Sequence, residues 1–244
     1  MRMDREIGRA LILGAAIAVA GGLVGYGLTR VRPADRYVTV KGVAEREVRA
    51  DLAIWPLHLV AASNDLAGAN AEIQSSAAKV RAFLARHGID TANVSVQQFS
   101  VADAQTNQFG SNTRPGSRFV IHQTLIVRST NPAAVQAASQ RMAELVSTGV
   151  VLSSGAEYGA GGPTFVFSGL SKLKPEMIGE ATSRARAGAE QFARDSHASV
   201  GGILRASQGV FEILPRDQAE GITEASQIDK TVRVVSTIDF VLTN

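Results

Sequence analysis

Residues 51–88 read DLAIWPLHLVAASNDLAGANAEIQSSAAKVRAFLARHG, and the change of apolar period inside this stretch decides the fold class. Asp51 to Ala62, with Leu52, Ile54, Leu57, Leu59 and Val60, has the composition of a strand. Pro56 lacks an N–H and so predicts an edge position or a bulge there. From Leu66 the spacing becomes helical: Leu66, Ala69, Ile73, Ala77, Val80 and Leu84 follow at steps of three and four, behind an Asp65 cap and ahead of a Gly88 stop.

Upstream, Tyr37, Val38, Val40 and Val43 predict an earlier strand that runs up to Gly42. Downstream, Val94–Val101 and Phe119–Val127 predict two strands joined by a long polar hairpin loop over 104–116. Asn131-Pro132 is a helix start, with Val135, Ala138, Met142, Leu145 and Val146 as the buried face and Gly149 as the end. Val150–Tyr158 and Thr164–Phe167 are further strand candidates. A third helix opens around Pro175 and runs to about His197, with a mostly alanine contact side: Ile178, Ala181, Ala185, Ala189 and Phe192. Strands over Ile203–Leu214 and Thr231–Leu242 complete the chain. Helices alternating irregularly with antiparallel hairpins predict an α+β domain with about three helices rather than a doubly wound sheet. Strand, helix, strand, strand occurs around the Asp65 helix and again around the Pro175 helix, which suggests a weak duplication of topology.

The 244 residues carry 25 Lys plus Arg and 22 Asp plus Glu. Six basic and three acidic side chains lie in Met1–Arg36, so the other 208 residues hold 19 of each sign and are neutral. The whole excess flanks Ala10–Leu28, which contains no charged residue and is just long enough for a membrane helix. Tyr26 suits the headgroup region, and arginines stand on both sides. Ala18-Val19-Ala20 also fits a cleavage site, but cleavage there would leave an apolar tail on the product, so an uncleaved anchor is favoured. The expected organisation is therefore a cytoplasmic N-terminus (1–9), a transmembrane signal anchor (10–29), a linker (30–36) and an exported domain (37–244), periplasmic and held in a bacterial inner membrane. Gly14, Ala18, Gly21, Gly22 and Gly25 form small-residue stripes along which two anchors could approach closely, so the membrane is one partner and a second copy of the chain another.

Chemistry is sparse. There is no Cys, and His58, His87, His122 and His197 show no metal-ligand spacing, so neither a metal nor a cofactor is expected. His87 and His197 read as helix-end residues. Ser76–Lys79 and Ser171–Lys174 are SerxxLys tetrads, but LysThrGly and SerAspAsn elements are absent and no GlyxSerxGly elbow occurs, so no catalytic residue is assigned. Gly159–Gly162 reads as a turn rather than an anion cradle, since no Walker or Rossmann spacing accompanies it. Nucleic-acid binding is not expected of a neutral domain with few aromatic residues. Arg184, Arg186 and Arg194 among Glu180, Glu190 and Asp195 form a solvated helix face. An alternative reading is an envelope enzyme or ligand binder with a site assembled from distant residues, for which Asp51, His58, His122 and Glu157 are the polar side chains to locate first.

Two stretches, VTVKGVAEREVRAD (Val38–Asp51) and EATSRARAGAEQFAR (Glu180–Arg194) followed by Val200-Gly201-Gly202-Ile203, resemble the SIMPL-domain family of bacterial periplasmic proteins. That family includes periplasmic antigens and proteins linked to oxidative-stress defence. The likeness in element order spans about Tyr37–Leu242. It implies an opening strand, a Gly and acidic turn, a tight turn at Ala50 where the family usually has Pro, and a Gly-containing turn after the Ala-rich helix. It brings no catalytic residues and implies a non-enzymatic envelope protein acting through self-assembly or contact with an unidentified protein partner.

Overall fold

A computed structural model of the chain describes residues 14–23, 36–103, 117–153 and 162–243. Helix α1 occupies 14–23 and is exposed throughout. It carries Gly14, Ala18, Gly21 and Gly22; at the three glycines a Cβ would meet nothing within 4 Å. Gly25 and the rest of the 10–29 segment lie outside the described residues. Among the described residues no helix is long and apolar enough to cross a membrane.

The chain divides into two compact units, one formed by residues 43–181 and 209–235, the other by the remainder. β1 (Tyr37–Arg49), α5 (Leu170–Asp195) and β8 (Asp229–Thr243) contribute residues to both. β1 does not turn at Gly42: it continues to Arg49, with Gly42 inside the strand. The turn comes at Ala50–Asp51, where the Ala50 N–H donates to Ile228 O at 2.8 Å. Pro at this position could not make that bond, so Ala50 suits the local ladder.

In the larger unit, β2 (Leu52–Ser63), β3 (Val94–Asp103), β4 (Phe119–Ser129) and β5 (Thr164–Val166) form a sheet in the order β3-β4-β2-β5. Every pairing in it is antiparallel. The buried residues of β2 are Ala53, Trp55, Leu57, Leu59 and Ala61, while Leu52, Ile54 and Val60 face the other way and are only partly covered. The buried set joins Ala69, Ile73, Ala77, Val80, Phe83 and Leu84 of α2 (Leu66–Arg86) in one core. The Asp65 side chain caps α2 by accepting from the Gly68 N–H at 2.9 Å, and Gly88 ends it at φ +72°. Leu66 departs from the expected stripe and is 44% exposed.

Pro56 neither bulges β2 nor lies on an outer strand, since the β2–β4 register is continuous past it. Even-numbered residues of β2 direct their backbone away from β4: the Val60 N–H donates to Val151 O, and His58 O accepts from the Ser153 N–H. The missing N–H of Pro56 falls on that side, between the β5 pairing at Leu52–Ile54 and the bridge from Leu59 to Leu152, so no ladder bond is lost. Of the predicted strand after Gly149, only that bridge is described, and 154–161 lie outside the described residues, as does the 104–116 loop.

The predicted helix over 131–149 is two: α3 (Pro132–Ser139), capped by Asn131 Oδ1 accepting from the Ala134 N–H at 3.2 Å, and α4 (Ala143–Ser147). The interruption at 140–142 changes the helical phase, so Val135, Ala138 and Leu145 are buried but Val146 is 59% exposed. Helix α5 starts five residues before Pro175, which therefore lies inside it. Leu170 and Leu173 hold that extra turn by packing on the cluster of Ala44, Met177, Ala181, Val232 and Val234. The predicted strand over 203–214 is also two, β6 (Ser199–Gln208) and β7 (Glu212–Pro215). They part at Gly209, where a Cβ would stand 2.6 Å from Val235 O.

In the smaller unit, Ala185 and Ala189 of α5 pack with Val40, Ile238 and Phe240. The buried row of α5 runs at strict four-residue steps, Met177, Ala181, Ala185, Ala189 and Ala193. The expected Ile178 and Phe192 fall beside it, and Phe192 is 59% exposed. His197 follows α5 at φ 54°, the left-handed position that ends a helix. Gly201 and Gly202 are not a turn: they lie within β6, where the register with β8 shifts between Val200 and Ile203. β8 is flanked by β1 and β6, with β7 also pairing to it, just as β4 lies between β2 and β3. The expected duplication thus appears in strand order, with β1 rather than β5 as the first strand of the second set.

Candidate functional site

Three places in the larger unit gather chemistry. The first is the face of the β2–β4 pair turned away from α2. His58 lies opposite Thr124 and Val60 opposite His122, so both histidines share this face as diagonal neighbours. His58 Nδ1 is 2.9 Å from Thr124 Oγ1, and burial pushes its imidazole below the usual range. Asp51 is not with them. At the start of β2 its carboxylate accepts from the Ser168 N–H at 2.9 Å and the Ser168 hydroxyl at 2.8 Å, just ahead of α5. Glu157 lies outside the described residues. Among the described residues no three His, Asp or Glu side chains converge as a metal site requires.

The other singled-out residues have architectural surroundings. His87 Nε2 is 3.2 Å from Glu144 Oε2, and its ring meets the Phe83 ring edge-on at a centroid distance of 4.4 Å. Ser76 is buried in α2, while Lys79 donates to Thr148 O at 2.9 Å. Ser171 is exposed, and the Lys174 ammonium lies 5.7 Å from the Phe211 ring centroid. Arg184, Arg186 and Arg194 are exposed as expected, with Arg186 over the Phe240 ring.

The second place is a polar cleft of about 210 Å³ lined by Arg49, Gln136, Arg216, Asp217, Gln227 and Asp229 among others. Asp229 accepts from Arg216 Nη1 at 3.0 Å, and Arg49 Nε lies 3.2 Å from its other oxygen. Arg216 also pairs with Asp217, and that hydrogen bond holds the Asp217 carboxyl below its ordinary range. Two cations against two carboxylates leave no net charge to attract an ion.

The third is apolar. In β3 the register with β4 slips between Val96 and Gln98. This bulge resets the two-residue period, so Val94 and Val96 before it and Phe99 and Val101 after it all fall on the face of Val127, Leu125, Gln123 and Ile121. That face is the one α2 covers over β2 and β4; on β3 Val94 is buried in the same core, but beyond it Val96, Phe99 and Val101 are 49%, 48% and 47% exposed. A groove of about 560 Å³ runs here between Leu66, Ala67 and Asn70 of α2 and Phe99, Val101 and Ile121 of the sheet. Gln123, opposite Phe99, is buried, and among the described residues no donor meets its Oε1. Sequence reading misses this site. Val94–Val101 shows a strand, but neither the bulge nor the reach of α2 is written in local spacing.

The two antiparallel sheets, each with a helix on one face, define an α+β protein. The chain belongs to the SIMPL family, described as a protein of unknown function (DUF541), whose model matches residues 38–239. No curated protein matches it. A crystal structure of an uncharacterized conserved protein from Listeria innocua is similar over 78% of this chain and 90% of that one, at 10% identity and a TM-score of 0.17.

Proposed function

We propose that this SIMPL protein is a non-enzymatic component of the bacterial envelope, anchored in the inner membrane by residues 10–29 with residues 37–244 in the periplasm, and that it works by assembling with further copies or with a protein partner. The observation that carries this reading is the half-exposed apolar row Val96, Phe99 and Val101 on one strand face, beside a groove floored by Ile121. Contiguous apolar surface of this kind is what contact sites present. Defence of the envelope against oxidative stress is the process in which we place it.

The test is light scattering on the full chain in detergent, with crosslinking in cells. Self-association, or recovery of one defined partner, is the expected result. A chain that stays monomeric and captures nothing would overturn the reading. A reporter fused after residue 244 should be active only if that end is exported, which checks the orientation separately.

A further inference from the structure

Two of the outer strands, β6 and β3, differ in how they are protected. β6 carries Gly201, Gly202 and Arg205, and its register with β8 shifts at two places. Bulges and charges of this sort keep a sheet edge from pairing with another chain. β3 has neither a charge nor a proline from Val94 to Ala102, and beyond its one bulge its register with β4 is unbroken from Gln98 to Asp103. Among the described residues no strand pairs with its outer edge. β3 thus has two deficits at once: backbone groups outside any ladder, and an apolar row that α2 does not reach.

We infer that β3 is an interface between two copies of this chain, paired antiparallel about a two-fold axis normal to the sheet at Ser100. The inference rests on the assembly reading above and assigns its surface and its occupant. A two-fold along the sheet normal keeps like faces on the same side, so the apolar rows of the two copies become one strip between two α2 helices. With the axis at Ser100, Phe99 of each copy stands opposite Val101 of the other, Gln98 opposite Ala102, and Ser100 opposite itself. Aromatic and β-branched pairs across a ladder are stabilising, whereas like charges would repel. An isologous contact must be complementary to itself. The uncharged run Val94–Ala102 satisfies this, because no side chain in it meets its own charge across the axis. Asp103, the first charge, would face Gln97. A charged partner peptide would find no countercharge on this strand, which favours a second copy over such a ligand.

The chain has no Cys, so an introduced thiol is unique. In the full-length protein, Ser100→Cys should oxidise to a crosslinked dimer, while Ser95→Cys on the same strand and Ser207→Cys on β6 should not. Phe99→Lys alone and Val101→Glu alone should each weaken self-association at least tenfold. An equimolar mixture of the two variants should restore it, because the ammonium introduced on one copy would then stand opposite the carboxylate introduced on the other; this rescue separates loss of the interface from loss of the fold. If the wild-type chain associates but neither charge variant weakens it, or Ser207→Cys crosslinks in place of Ser100→Cys, the β3 pairing is wrong and the assembly reading survives. If the wild-type chain is monomeric and captures no partner, both fall.

Discussion

Against β2 and β4, α2 lays Ile73, Val80, Phe83 and Leu84; against β8, α5 lays Ala181, Ala185 and Ala189. The strand order beneath is the same in outline, a late strand between two others, yet one layer is filled by the helix's large side chains and the other by those of the strand. Phe240, Ile238, Val234 and Val232 supply the bulk that α5 lacks. Interdigitated large residues suffer most from deletion, because a cavity remains. A seam of alanines suffers most from addition, because there is no void to fill.

The largest effect should come from deletion under α2. Phe83 is fully buried, so Phe83→Ala should cost about 3–5 kcal/mol, read as a shift in the denaturant midpoint. The converse change under α5, Ala185→Leu, should cost about 1–3 kcal/mol at a position where added apolar area would otherwise help. A neutral or stabilising Ala185→Leu would show that the seam holds unfilled space and would erase the contrast. Lys230 sharpens it further. It occupies an inward position of β8, fully buried, where its ammonium meets the Glu224 carboxylate and backbone carbonyl. Breaking a buried pair costs about 3–5 kcal/mol. Glu224 is about one-third exposed and its carbonyl persists, so Glu224→Ala should cost less, about 2 kcal/mol. Urea unfolding of the variant checks this.

Much of this contrast is legible in the sequence. The Asp65 cap, the Ile73 to Leu84 stripe, the Asn131-Pro132 start and the alanine row are local signals, set by hydrogen-bond geometry and helical period. Errors arise where tertiary contact decides. Pro175 reads as a start, yet Leu170 and Leu173 gain enough burial to extend the helix around it. Phe192 reads as inward because it is large, although the strict four-residue step carries the row to Ala193. Gly201-Gly202 reads as a turn, although a strand bulge needs the same residue type. The apolar strip stays invisible because it depends on how far α2 reaches across the sheet. Asp51, His58 and His122 suggest a site by residue type alone; the ladder joins the histidines and assigns Asp51 to Ser168.

The smallest expected effect tests whether the first sheet is as apolar in behaviour as its core suggests. On its other face His58 is partly buried against Thr124, and burial lowers its pKa from the ordinary 6.5. The unfolded chain then binds a proton more readily than the folded one, so acidification favours unfolding. The contribution of the neutral ring is complete above about pH 6.5 and is lost as pH falls through the lower folded value. His58→Gln keeps a polar side chain without a titration in this range. The stability difference between wild type and His58→Gln should therefore shift against the wild type from pH 7 to pH 5, in thermal melts paired at each pH so that the carboxylates common to both cancel. A difference that stays flat over that interval would mean that the imidazole is hydrated in the folded chain, and that the face shared with His122 is open to water rather than partly enclosed.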